Sequence, residues 1–280
     1  MNFPKKWRET IDPYKLKFKN FELLEVLGYP HAGNDVFYAK GIYKGNEVFV
    51  FIKVNRQNGA DVKNEVETLN KINLDNTPIV IDYDDEMTYR VSIALPGERL
   101  SVISKQITNH ELLNYLKTYG ETLARIHLIN GEFNHVKDRK FFHIPSKEYF
   151  EKQNINMEVY HYLVSSKPKE ITYCFVHGDF HYANVLWQDK KISGLLDFEL
   201  SGYGNKEFDI AWSITVRPSQ EFLKEQQEID SFISGYKNIG ECNLEYIKYY
   251  MVLIYSWFYE LGGPKYKDFV ATKMYEMINN

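Results

Sequence analysis

One stretch of this 280-residue chain gathers oxygen-bearing side chains in a spacing suited to holding a metal ion and accepting a proton. Residues 173–209 read YCFVHGDFHYANVLWQDKKISGLLDFELSGYGNKEFD. A strand (YCFV) is expected to run into a loop holding Asp179, and Asn184 follows five residues later. Asn184 begins the strand VLW, the polar turn QDKK reverses the chain, and the returning strand brings Asp197 back beside Asn184. Two carboxylates and an amide oxygen then converge at one end of a hairpin. Oxygen ligands without Cys or His suit a hard cation such as Mg²⁺, which leaves Asp179 to accept a hydroxyl proton. His177 and His181 are spaced as a zinc pair could be, but such a pair needs a helical face, and Gly178 and the loop setting argue against one. A plain structural alternative for Asp209 is that of a helix N-cap.

These residues need a frame. The first hundred residues are strand-like and turn-rich, and those after about Ser101 are mainly helical, an order that predicts an α+β chain of two lobes. Glu47 to Val54 alternates, with Val48, Val50, Ile52 and Val54 on one face and Phe49, Phe51 and Lys53 on the other. The turn Lys44-Gly45-Asn46 closes a hairpin with Val36 to Ile42. Asp61 to Ile72 carries Val62, Val66, Leu69 and Ile72 at helical spacing, and a further helix is expected near Glu111 to Ile129. Leu95-Pro96-Gly97 punctuates the chain and marks the crossing between lobes.

Composition excludes several classes. The formal net charge is −4, with 44% hydrophobic and 26% charged residues, the balance of a folded soluble domain. No stripe of Lys and Arg is present to bind nucleic-acid phosphates. The start has charge but no apolar stretch of a signal peptide, and the longest greasy run, Tyr249 to Tyr259, is too short for the ~20 residues that span a bilayer, so it reads as a buried core helix. Cys174 and Cys242 form no metal spacing and read as reduced thiols of a cytoplasmic protein. From Glu199 onward there are twelve acids against eight bases, so the whole excess of negative charge lies in the last third.

His177-Gly178-Asp179 with Asn184, followed by Asp197-Phe198-Glu199, resembles the catalytic and metal loops of the aminoglycoside phosphotransferase family, a branch of the protein-kinase-like fold. Protein kinases carry H-R-D-x-x-x-x-N and D-F-G at the same spacing from Asp to Asn. The resemblance implies that Asp179 is the catalytic base, that Asn184 and Asp197 are Mg²⁺ ligands, that His177 is structural, and that Asp209 braces the loop. It implies a bilobal fold: a nucleotide-binding lobe over residues 1–94, a linker over 95–100 and a catalytic and substrate-binding lobe over 101–280. Val50-Phe51-Ile52-Lys53 stands where a kinase has V-A-I-K, so Lys53 is expected to meet the phosphates of ATP or GTP. Of the two acids on the following helix, Glu65 lies beside Val62 and Leu69 on the inward face and Glu67 points away, so Glu65 is expected to hold Lys53. Residues 27–37, including Gly33, fill the place of the phosphate-covering loop, and Ala94 and Leu95 at the crossing are candidate nucleotide contacts.

Departures from the protein-kinase pattern narrow the class. Phe51 replaces the small residue that faces the base, Glu199 replaces the Gly of D-F-G, no A-P-E follows, and His181 stands where Ser/Thr kinases commonly carry Lys. The implied activity is transfer of the γ-phosphoryl group to a hydroxyl of an aminoglycoside antibiotic, giving resistance. A metabolic kinase acting on choline, homoserine or a sugar, or a macrolide phosphotransferase, would share the same catalytic residues, and a non-catalytic nucleotide-binding scaffold is a third reading. A polycationic acceptor would be held by Glu199, Glu207 and Glu260; a choline-like one could sit in a cage of Tyr255, Trp257 and Tyr259.

Overall fold

Patterning with a period of two builds a five-stranded antiparallel sheet, in the order β1-β2-β3-β5-β4, in a computed structural model that describes residues 11–30, 34–55 and 61–279. In chain order the strands are β1 (Phe21–Gly28), β2 (Asp35–Tyr43), β3 (Asn46–Val54), β4 (Val80–Tyr83), β5 (Tyr89–Ile93), β6 (Glu98–Arg99), β7 (Tyr173–Val176), β8 (Val185–Gln188), β9 (Lys191–Leu195) and β10 (Gly202–Asn205). The α-helices are α1 (Val62–Lys71), α2 (Leu100–Ile103), α3 (Asn109–His127), α4 (Lys147–Gln153), α5 (Met157–Ser165), α6 (Lys206–Ile214), α7 (Gln226–Lys237), α8 (Leu244–Phe258) and α9 (Pro264–Asn279). The chain divides into two compact units, Met1–Glu98 with Asn184–Ser201, and Arg99–Ala183 with Gly202–Asn280.

In the first unit, Val50, Ile52 and Val54 of β3 are buried with Phe37, Ala39 and Val91 in the sheet's core. The β2–β3 connection is the two residues Lys44 and Gly45, both with positive φ (48° and 78°), the mirror-image turn whose twist suits a hairpin. Helix α1 starts on Asp61, whose carboxylate accepts the Asn64 N–H at 2.9 Å, and buries Val62, Glu65, Val66 and Leu69. The sequence reading keeps residues 101–280 together, yet Asn184–Ser201 groups with this N-terminal unit. The reason is a set of specific bonds: Asn64 Nδ2 donates to the carbonyls of Glu199 and Ser201, Ser201 Oγ meets Thr68, and Leu195 N–H reaches Asn76 O.

The second unit is mainly helical. Helix α3 begins with a reciprocal Thr108–Glu111 capping box. It crosses α7 at two glycines, where a Cβ on Gly120 would stand 2.0 Å from Phe232 O and one on Gly235 1.9 Å from Lys117 O. Only hydrogen at both positions permits that approach. The greasy run is buried along α8, as its composition predicts, with Tyr259 in the single 3-10 turn that follows. Strands β7 and β10 pair antiparallel beside these helices. Cys174 and Cys242 are free thiols, and burial pushes that of Cys174 up to about 12. Among the described residues no helix is long and apolar enough to cross a membrane.

Candidate active site

Each unit carries a cluster of charge around a residue singled out from the sequence, Lys53 in the first and Asp179 in the second. In the first, Lys53 Nζ lies 2.9 Å from Glu65 Oε2, 2.5 Å from Asp197 Oδ1 and 2.9 Å from Glu199 Oε2. Register places Arg90 of β5 directly opposite Lys53 of β3, and two like charges so placed repel each other. Glu65, fully buried, resolves the conflict by giving one oxygen to Lys53 and the other to Arg90 Nη2 at 2.7 Å. Burial is the largest influence on Lys53 and pulls its pKa down, but Glu65, Asp197 and Glu199 together outweigh it and hold the ammonium above its ordinary value. Burial likewise pushes Glu65 up, and Arg90 and Lys53 outweigh it to hold the carboxylate well below its usual range. Glu199 is raised, by burial first and then by the charge of Asp197, against the pull of Lys53.

Three carboxylates against two cations leave this cluster one negative charge in excess, and oxygens of Glu65, Asp197 and Glu199 all lie within 4.8 Å of one another. Their shared centre is taken by Lys53 Nζ, so the place that fits a small divalent cation is the more open carboxylate of Asp197, where the surplus negative charge remains. Asp197 has a left-handed backbone (φ 68°), a conformation Asp tolerates better than most residues. Leu196 N–H bonds Asn184 O at 2.8 Å, which brings the segment carrying Asp197 alongside Asn184. Glu199, entertained from sequence as an acceptor contact, is turned onto Lys53 and receives Asn34 Nδ2 at 2.9 Å. Ala94 N–H bonds Phe49 O at 2.9 Å, and Leu95 packs over Gly194. Phe51 lies against Tyr38, with ring centroids 5.2 Å apart, and both line a cavity of about 420 Å³ with Gly28, Tyr29 and Pro30. Gly33 falls outside the described residues.

In the second unit the cluster centres on a partly buried carboxylate. Strand β7 ends at Val176 and the chain turns at Gly178, whose φ of +80° suits glycine, to present Asp179. Asp209, in the first turn of α6, accepts the N–H of His177 at 3.1 Å and of Gly178 at 3.0 Å. His127 Nε2 stands 3.1 Å from the same carboxylate and its Nδ1 2.8 Å from the Tyr236 hydroxyl. The ring of His177 is buried, and its Nδ1 accepts the Asp179 N–H at 3.3 Å. Trp212 Nε1–H donates to Asp179 Oδ1 at 2.7 Å, His181 Nε2 lies 3.6 Å from Oδ2, and Arg217 Nη2 lies 4.0 Å from Oδ1. Burial would raise the Asp179 pKa, but His181, Arg217 and the Trp212 indole outweigh it and hold the carboxyl well below its usual range.

The remaining acids lie elsewhere in this unit. Glu207 is buried, 3.7 Å from Lys206 Nζ, with Oε1 accepting the Asn243 N–H at 3.4 Å. Glu260 falls in the 3-10 turn after α8 rather than on the helix and is paired with Lys140 at 3.2 Å. The aromatic cage does not form, because residues two apart on a helix point about 200° from each other. Tyr255 is buried with its hydroxyl accepting the Val216 N–H, while Trp257 donates to His143 O and packs on Tyr149. Sequence reasoning missed Arg90, His127, Arg139, Trp212 and Arg217. His127 carried a signal, standing at helical spacing from the apolar Leu123; the others depend on register or on the path of a loop.

Comparison with known proteins bears on the family and the fold. The family model described as "Phosphotransferase enzyme family" matches residues 46–241. An aminoglycoside 3'-phosphotransferase of Enterococcus faecalis is 37% identical over 98 residues, 34% of this chain and 34% of that protein. The match thus spans about a third of the length of the curated relatives. Among solved structures, the choline kinase LicA of Streptococcus pneumoniae superposes with a TM-score of 0.56 at 16% identity, covering 94% of this chain and 93% of that one. A macrolide 2'-phosphotransferase of Brachybacterium faecium gives 0.55 at 13% identity over 93% and 94%. Likeness at such identity is one of fold: protein-kinase-like, with a β-rich N-terminal part and a helical C-terminal part.

Proposed function

Since the chain belongs to the phosphotransferase enzyme family, we propose that it transfers the γ-phosphoryl group of ATP or GTP to a hydroxyl of a small molecule. The observation that carries this reading is Lys53, held by Glu65 and surrounded by an excess of carboxylate that includes Asp197. In this reading Lys53 neutralises phosphate oxygens of the donor, and the Phe51 and Tyr38 rings offer faces on which a base can stack. Asn184 and Asp197 would hold Mg²⁺, which when bound supplies charge neutralisation at the phosphate oxygens. Asp179 orients the acceptor hydroxyl. The acceptor oxygen forms the new P–O bond as the bridging bond to the β-phosphate breaks; the nucleoside diphosphate leaves with the electron pair, and the hydroxyl proton passes to Asp179 and then to water. A carboxylate held far below the usual range is a weak base, so orientation is its larger contribution, in keeping with a loose transition state. Asp209 keeps the loop in place through His177 and Gly178.

The partial relatives support an aminoglycoside as acceptor, with antibiotic resistance as the consequence. A second reading, an acceptor that is not a polycation, is favoured by the engagement of Glu207 and Glu260 with lysines and by the guanidinium beside Asp179. The test is nucleotide consumption with kanamycin, a macrolide, choline and homoserine in turn, at several Mg²⁺ concentrations, with ³¹P NMR of the product. Acceptor-dependent consumption that is lost in Asp179→Asn is the expected result. Consumption without any acceptor dependence, unchanged in Asp179→Asn, would remove the proposal.

A further inference from the structure

We infer that the acceptor is a hydroxyl compound carrying a carboxylate on an apolar or aromatic body, and that Arg217 recognises that carboxylate; this rests on the kinase reading above. Arg217 follows α6, and its Nη1 donates to the carbonyls of Trp212 and Thr215 at 3.3 and 3.4 Å. Its guanidinium lies over the Trp212 ring at 5.0 Å and the Phe258 ring at 5.5 Å. Nη2 is buried and has no hydrogen-bond partner among the described residues, although it lies 4.0 Å from Asp179 Oδ1. A buried donor left unmade is costly, and the fork of a guanidinium is shaped for a carboxylate. The guanidinium stands 4.0 Å from Asp179 and about 15% of the side chain stays open to solvent, so an acceptor held at Asp179 by its hydroxyl can turn a carboxylate on the far end of its body towards Arg217.

The surroundings repeat the same sign. Arg139 lies over the same Trp212 ring at 5.3 Å and over Phe142 at 4.8 Å, with Nη2 donating to Gly178 O. Lys140 lies over Phe141 and Trp257 and neutralises Glu260. Two guanidiniums therefore rest on the indole of Trp212 beside Asp179, with the Lys140–Glu260 pair further along the aromatic cluster. A polycation placed there would meet repulsion in a poorly solvated setting, whereas a single carboxylate would be attracted. A phosphate would bring more negative charge towards Asp179 than a carboxylate does, which makes the carboxylate the better match. Rings that present flat faces suit an apolar body on the same molecule.

A matched set of probes isolates charge: 4-(hydroxymethyl)benzoate, 4-(hydroxymethyl)benzylamine and benzyl alcohol share a ring and a hydroxyl. Equilibrium binding to the full chain by calorimetry, and turnover with ATP and Mg²⁺, are measured for wild type, Arg217→Gln and Arg217→Lys. The expected result is a benzoate bound about tenfold or more tightly than the amine. That preference should collapse in Arg217→Gln and return in part in Arg217→Lys, with circular dichroism confirming that both variants fold. Tighter binding of the amine, equal binding of all three, or no binding of any would overturn the inference. So would a charge preference that survives Arg217→Gln while nucleotide affinity falls, because the guanidinium would then serve the donor. Benzoate binding lost in Arg217→Gln, with no phosphoryl transfer to any compound, would uphold the anion site and count against the kinase reading instead.

Discussion

Lys53 is a buried charge and Asp179 a partly buried one, and their surroundings are built on opposite plans. Around Lys53 the acids outnumber the bases, three carboxylates against two cations. Around Asp179 a single carboxylate meets an indole N–H, an imidazole and a guanidinium. The first arrangement has surplus negative charge and can take up a divalent ion without losing its lysine. The second has its carboxylate compensated in advance, so it stays ionised although largely removed from water. A cluster short of positive charge suits a divalent cation, and through it and Lys53 a phosphate; one already balanced suits a reacting hydroxyl.

The comparison breaks hardest at Asp179. Replacing it with Asn leaves the charge of the first cluster untouched, so nucleotide and Mg²⁺ binding should persist while phosphoryl transfer falls ~10²- to 10⁴-fold. Single-turnover kinetics beside calorimetric nucleotide binding measures both. In the first cluster the most damaging single change is Glu65→Gln, which removes the negative charge between Lys53 and Arg90 and turns one of the two acceptor oxygens into an N–H donor facing a cation. A loss of about 3–5 kcal/mol in urea unfolding is expected, as for breaking a buried pair from one side. Adding Arg90→Met should recover part of it, and no recovery would mean that Glu65 acts through packing instead.

Smaller effects sharpen the contrast. Asp197→Ala should abolish the Mg²⁺-dependent tightening of nucleotide binding, because it removes the negative surplus; equal enhancement in wild type and variant would count against Asp197 as ligand. Trp212→Phe removes one hydrogen bond to Asp179 while keeping a ring under both guanidiniums, and about a tenfold fall in kcat is expected, consistent with a bond to a charged group. The smallest effect is on pH dependence. A carboxyl depressed in the folded state adds stability that is present above its ordinary value near 3.8 and is lost as pH falls through the folded value. From about pH 5 to about pH 8 the kcat profile should therefore show no limb belonging to Asp179. A limb in that range, altered in Trp212→Phe, would contradict the depressed pKa.

Much of this frame was legible because it is local. Alternation gives the buried face of β3, and helical periodicity separates the inward Glu65 from Glu67. Asp179 and its loop follow from a short motif, as does the hairpin that returns Asp197 to Asn184. What escaped depends on contacts between distant segments. Arg90 matters because five strands align it with Lys53, and no spacing in the sequence states that register. Arg139 and Arg217 reach the Asp179 loop from segments on either side of it in the chain, one stacked on the indole and the other tied to backbone carbonyls. Counting acids towards the C-terminus misjudged local charge for the same reason, since Glu207 and Glu260 each have a lysine.

The return of Asn184–Ser201 to the N-terminal unit also bears on how the chain is made. Synthesis delivers the sheet and α1 first, yet the bonds from Asn64 and Thr68 and two of the three carboxylates around Lys53 wait until residue 201 has emerged. At ~5–20 residues per second the intervening segment takes roughly 4–17 s to translate, far longer than a hairpin needs to form. During that interval the nascent sheet holds Lys53 and Arg90 with Glu65 as their sole acid from this cluster. Truncation at Glu98 would make that interval permanent, so the N-terminal unit is not a separable module: its last structural piece is encoded beyond the segment that interrupts it.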